Sequence, residues 1–140
     1  MKNKILIGLV VFFGIIACNN DDNDSSNCDK VTIVSSEEYE TAPNDQLFIN
    51  TLELNGDCLK INFSSSGCNG DTWSLKLIDS EIILESNPPQ RNLRLSLKNE
   101  ELCEALITKE LTFDINELRV DGNQVLLNIT NSDDQILYEY

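Results

Sequence analysis

Apolar and polar residues alternate with a period of two over most of the chain. Leu59-Lys60-Ile61-Asn62-Phe63 alternates without a break, as do Trp73, Leu75 and Leu77 around Ser74 and Lys76, and Leu93, Leu95 and Leu97 around Arg94 and Ser96. Successive side chains of an extended chain point to opposite faces, so this spacing predicts strands with one buried face. Leu111, Phe113 and Ile115 repeat the pattern, followed by Val125, Leu127 and Ile129 and a last strand over 136–140. Apolar runs at 31–34, 47–54 and 82–84 bring the expected number to eight or nine strands.

The residues between these runs are turn formers. Asn55-Gly56-Asp57 and Asp121-Gly122-Asn123 supply side chains that accept a positive φ, and 131–134 closes a C-terminal hairpin. The stretch 64–71 reads as a glycine-containing loop, and Asn87-Pro88-Pro89-Gln90 cannot be interior strand. One helical segment is expected: Asn99 can cap 100–106, with Glu100 and Glu101 in the first turn, giving one or two turns. Many short strands with one apolar face each predict an all-β, two-sheet antiparallel sandwich of immunoglobulin-like type, with a small β-barrel as the alternative. Residues 28–140 suffice for one such domain.

The N-terminus is different. Lys2 and Lys4 precede thirteen residues, 5–17, without a polar side chain. A membrane-spanning helix needs roughly 20 apolar residues, whereas the apolar part of a secretory signal needs about 7–15. Residues 1–17 therefore read as a signal peptide. Its end, Ile15-Ile16-Ala17-Cys18, resembles the lipobox of bacterial lipoproteins. That resemblance implies a diacylglycerol on the Cys18 thiol, cleavage just before it, and acylation of the new amino terminus. Several acyl chains anchor a protein far more firmly than one. The alternative is a secreted protein with a free Cys18.

Residues 18–27 carry no apolar side chain after the cysteine and read as a disordered acidic tether. Asp21, Asp22 and Asp24, so near a lipidated cysteine, resemble the surface-export signal of Bacteroidota lipoproteins, which implies the outer membrane and its outer face. Asn19-Asn20 departs from the commonest form of that signal and keeps the periplasmic face open. A calcium loop is disfavoured, because the glycine turn and terminal glutamate of such loops are missing.

Charge and composition narrow the function. The chain holds 10 Lys and Arg against 24 Asp and Glu, a formal charge of −14 that becomes −16 once Lys2 and Lys4 are cleaved away. Such a surface disfavours nucleic acid and anionic lipid headgroups. There is no histidine, which removes Ser-His and Cys-His nucleophiles and imidazole metal sites.

Cys28, Cys58, Cys68 and Cys103 remain, an even number in a chain bound for an oxidising compartment. The strand 59–63 puts Cys58 and Cys68 at opposite ends of the sandwich. If 72–78 and 92–97 run up and down in turn, Cys68 and Cys103 share an end, so the expected bridges are Cys28–Cys58 and Cys68–Cys103. Spacings of 30, 10 and 35 lack the Cys-x2-Cys knuckle of a zinc site and the redox pair of the same spacing.

No metal ligand set, cofactor loop or nucleophile elbow is present in the sequence. Acid pairs such as Glu37-Glu38, Glu100-Glu101 and Asp133-Asp134 read as solvated surface, since neighbours on a strand point apart. Binding is the better expectation, and two places stand out. Trp73, the one tryptophan, would stack on a sugar or anchor a protein contact if exposed, while its parity with Leu75 and Leu77 favours the core and leaves both readings open. Pro88 and Pro89 make a stiff loop that could present Arg91 to a partner. The sequence thus reads as a lipid-anchored envelope module binding a protein or glycan, with an outer-membrane complex subunit and a small carboxylate hydrolase as alternatives.

Overall fold

The computed structural model describes residues 27–140. The signal peptide, Cys18 and all of the tether but Asn27 lie outside the described residues. Two sheets face each other. One has the order β1 (Lys30–Val31), β7 (Ala105–Asp114), β4 (Cys58–Gly67), β3 (Phe48–Asn55). The other has β2 (Ile33–Val34), β5 (Ser74–Leu84), β6 (Gln90–Lys98), β8 (Gln124–Ile129), β9 (Asp134–Glu139). This is an all-β sandwich, not a closed barrel.

The period-two residues form its core. Leu59, Ile61 and Phe63 of β4 meet Leu75 and Leu77 of β5, Leu93, Leu95 and Leu97 of β6, Phe113 of β7, and Val125, Leu127 and Ile129 of β8, all buried. Burial of large aliphatic side chains at about 1.5–3 kcal/mol each drives the two sheets together.

The structure corrects several local expectations. Residues 31–34 are not one strand: the chain crosses between sheets at the buried Thr32, so β1 pairs with β7 and β2 with β5, both parallel. A third parallel pairing joins β6 to β8, making both sheets mixed. The expected loop at 64–71 begins later, because Ser64, Ser65 and Ser66 stay in the β4–β7 ladder. The run 82–84 belongs to β5.

The expected helix over 100–106 is absent. Asn99 does accept the Glu101 N–H at 3.0 Å, but Glu101 is held elsewhere, and 105–106 joins β7. The Glu101 carboxylate accepts the backbone N–H groups of Cys68, Asn69 and Gly70 at 2.6, 3.2 and 3.1 Å and the Thr72 hydroxyl at 3.0 Å. The bridge Cys68–Cys103 closes over the same loop, and Cys28–Cys58 closes the other end. A short helix forms instead at α1 (Ser36–Thr41), where Ser35 caps the Glu38 N–H. It lies on β5 and β6, and Arg94 donates to the carbonyls of Glu38, Tyr39 and Ala42 at its C-terminal end.

Partial desolvation pushes the Glu101 carboxyl up, but its four donors outweigh this and bring it down to about 2, against an ordinary 4.5. The unfolded chain therefore binds a proton more readily than the folded one, and stability present above the ordinary value fades as pH falls towards about 2. Glu101→Gln should flatten that acid limb in chemical denaturation measured across pH. An unchanged limb contradicts this role for the carboxylate.

Candidate functional site

The most unusual surface lies at the β5–β6 turn, and a buried pair of charges builds it. Along β5 the inward parity runs Leu75, Leu77, Asp79, and along β6 it runs Leu97, Leu95, Leu93, Arg91. The pattern thus delivers an acid and a base to the edge of the apolar core. The Arg91 guanidinium donates from Nε to Asp79 Oδ2 at 3.0 Å and from Nη2 to Oδ1 at 2.7 Å, with the Asp79 side chain fully buried. This two-pronged geometry satisfies both ions where water cannot.

The β5–β6 register slips next to this pair. Asp79 Oδ1 also accepts the Glu81 N–H at 2.8 Å, and Ser80 Oγ accepts the Ile82 N–H at 3.4 Å. Glu81 adopts φ of 68°, a conformation rare for a residue with a side chain. Its carboxylate accepts the Ser36 N–H at 3.0 Å, and hydrogen bonds from Ser36 hold its pKa below the ordinary glutamate value. Pairing resumes at Ile83↔Arg91 and Leu84↔Gln90, so a bulge spans the residues between.

Beyond the bulge the hairpin carries three consecutive apolar residues into solvent. Ile82 is 58% exposed, Ile83 46% and Leu84 40%. The turn is stapled by Ser86 Oγ, which donates to the Pro88 carbonyl at 2.7 Å and accepts from Gln90 Nε2 at 3.1 Å. Pro88 and Pro89 are half-buried, and the Pro89 carbonyl accepts the Leu126 N–H at 2.9 Å. Ile83, Glu85, Ser86, Pro89, Val120 and Asp121 line a groove of about 460 Å³ beside the tip. Val120 is fixed there by Tyr140, whose hydroxyl accepts its N–H and donates to its carbonyl, both at 2.9 Å.

Arg91 therefore does not face a partner: it is 6% exposed and holds the loop from within, because an inward position in the ladder leaves its side chain no route to solvent. Trp73 is likewise not an exposed platform. It is half-buried against the core beside Phe63, ring centroids 6.3 Å apart, and its Nε1 is enclosed without a partner. The exposed triplet differs from the ordinary short strand expected at 82–84. Its signal was the loss of alternation itself, since three apolar residues in a row cannot all face one core.

A second cavity, about 470 Å³, opens at the Cys28–Cys58 end and includes Glu53, Asp57, Lys60 and Asp114 in its lining. Its acids are engaged locally. Glu53 meets Lys60 at 2.7 Å, and Asp114 accepts the Asn116 N–H at 2.9 Å. Asp57 accepts the Tyr138 hydroxyl and, at 2.7 Å, Arg119 Nη2; these two bonds hold its pKa below the ordinary value. Burial and the bond to Asp57 push Tyr138 up to about 12. Among the described residues no cluster of three acidic or sulfur ligands is arranged to hold a metal ion.

Two solved structures share the fold. A protein of unknown function, DUF1344, from Bacteroides vulgatus superposes with a TM-score of 0.53 at 17% identity, covering 79% of this chain and 56% of that one. A protein from Parabacteroides distasonis, described only as toxin-related, gives 0.50 at 14% identity, covering 78% and 61%. The chain thus spans less than two thirds of either neighbour, and at these identities the likeness establishes the fold alone. No family model and no curated protein matches the chain.

Removing one partner of the Asp79–Arg91 pair strands a buried charge. Asp79→Ala or Arg91→Met should each cost about 3–5 kcal/mol in urea unfolding, whereas Asp79→Leu with Arg91→Met should recover most of the loss. Additive single losses would show that the two residues do not act as a pair.

Proposed function

We propose that this chain is an outer-membrane lipoprotein, anchored through Cys18, whose β5–β6 tip binds a partner protein at the cell surface. The observation that carries this reading is the exposure of Ile82, Ile83 and Leu84 in one run on a braced hairpin. Contiguous exposed apolar surface on a folded domain marks a place where another molecule sits. Aliphatic side chains suit an apolar protein contact, whereas sugar stacking needs an aromatic plane, and Trp73 is packed against the core. The tip is also largely preformed, since the buried ion pair and the Ser86 staple fix the hairpin before any partner arrives, and less ordering entropy is lost on docking. The acids of the larger cavity already serve as local acceptors, which favours binding over hydrolysis.

The test is site-specific photo-cross-linking in intact cells. A photoreactive residue replacing Ile82 or Leu84 should give a discrete protein adduct, while one replacing Leu106, 71% exposed in the other sheet, should give none. Cys18→Ala should shift the chain out of the membrane fraction and abolish the adduct. Adducts at Leu106 alone, or none at the tip, would sink the proposal.

A further inference from the structure

Resting on that reading, we infer that the segment docking in the β5–β6 groove belongs to a different protein and presents an aliphatic side chain flanked by lysine or arginine. The floor and the rim of the groove differ in chemistry. Ile83, Pro89 and Val120 give an apolar floor, and the two charged residues among the lining side chains, Glu85 and Asp121, are both acidic. Neither carboxylate takes part in an ion pair among the described residues.

The arginines of this region are committed elsewhere. Arg91 is buried on Asp79, and Arg119 is tied to Asp57 and Tyr138, with its guanidinium carbon 5.1 Å from the Tyr140 ring centroid. Among the described residues no lysine or arginine pairs with Glu85 or Asp121, so the complementary positive charge is left for the partner to supply. A second copy of this chain does not supply it. Each copy, once Lys2 and Lys4 are cleaved away, carries a formal charge of −16, and a tip-to-tip contact would bring two acidic rims together. An aliphatic residue in the groove with cations on either side satisfies floor and rim at once. It also accounts for the two acids that line the groove beside the apolar tip: their charge keeps like-charged copies apart while steering a basic segment in.

The experiment uses the full chain in detergent micelles and three fluorescein-labelled peptides of equal length. The first has an Ile-Leu centre flanked by lysines, the second the same centre flanked by glutamates, and the third lysine flanks around a serine centre. At low salt the first should bind at least about tenfold tighter than either of the others, and its advantage over the second should shrink as salt rises. Glu85→Lys with Asp121→Lys, both surface changes, should reverse the preference between the first two. Ile83→Asp should abolish binding of both.

The failures separate. Equal binding of lysine- and glutamate-flanked peptides, still lost in Ile83→Asp, overturns the partner chemistry and leaves the tip as the docking surface. Binding that Ile83→Asp does not weaken overturns the tip and the inference together. Absence of binding by all three peptides overturns the inference. A wild-type dimer in sedimentation that Ile83→Asp dissolves makes a second copy the occupant and overturns it as well.

Discussion

A carboxylate and a guanidinium buried against each other at the margin of an apolar core determine the shape of this protein's most distinctive surface. Neither ion can lie in that position alone, because the desolvation of an unpaired charge would cost more than the surrounding packing returns. Asp79 and Arg91 therefore lock β5 to β6 at the point where their ladder loses register. With that point fixed, the hairpin can run on past the core without collapsing onto it. Ile82, Ile83 and Leu84 are left outside because the hairpin here has run past the core: Ile83 pairs with the inward-facing Arg91 and keeps its parity, yet is 46% exposed.

The remaining polar interactions close the sandwich around this arrangement. At the end opposite the tip, Glu101 fills a ring of backbone donors and Cys68–Cys103 ties the same loop, so the crossover into β7 is fixed. At the tip's own end, Asp57, Arg119 and Tyr138 join the β3–β4 turn to β9 across the two sheets, beside Cys28–Cys58. Helix α1 shields the outer side of β5 and β6, its last carbonyls held by Arg94. These contacts satisfy groups that would otherwise be stranded at strand ends, and among the described residues nothing covers the apolar β5–β6 tip.

Much of this was legible in the chain itself. Period-two runs located the strands of the core, and strand direction alone chose the two bridges, because Cys58 and Cys68 bracket β4 and so occupy opposite ends. The local errors have physical causes. Asn99 with Glu100 and Glu101 looks like a helix start, but Glu101 gains more from four converging donors across the loop than from a first helical turn. The real helix start, Ser35 with Glu38 three residues on, is written just as plainly, although Glu37 and Glu38 also fit a solvated surface. Parallel pairings and the sheet crossover at Thr32 depend on contacts far apart in sequence, which no local pattern encodes. Arg91 follows a proline loop, yet its place two residues before Leu93 sets it on the inward face, and Asp79 occupies the matching position after Leu77.

Preformation of the apolar tip rests on the buried Asp79–Arg91 pair. Amide hydrogen exchange across the hairpin, comparing the wild type with Arg91→Met, tests this most directly. The one of the Ile83 and Leu84 amides that donates across the antiparallel ladder to β6 should be protected in the wild type and exchange freely in the variant, while the amides of β4 and β7 stay protected to the extent of the variant's remaining global stability. Equal exchange of the tip in both proteins, or a tip already unprotected in the wild type, would contradict it.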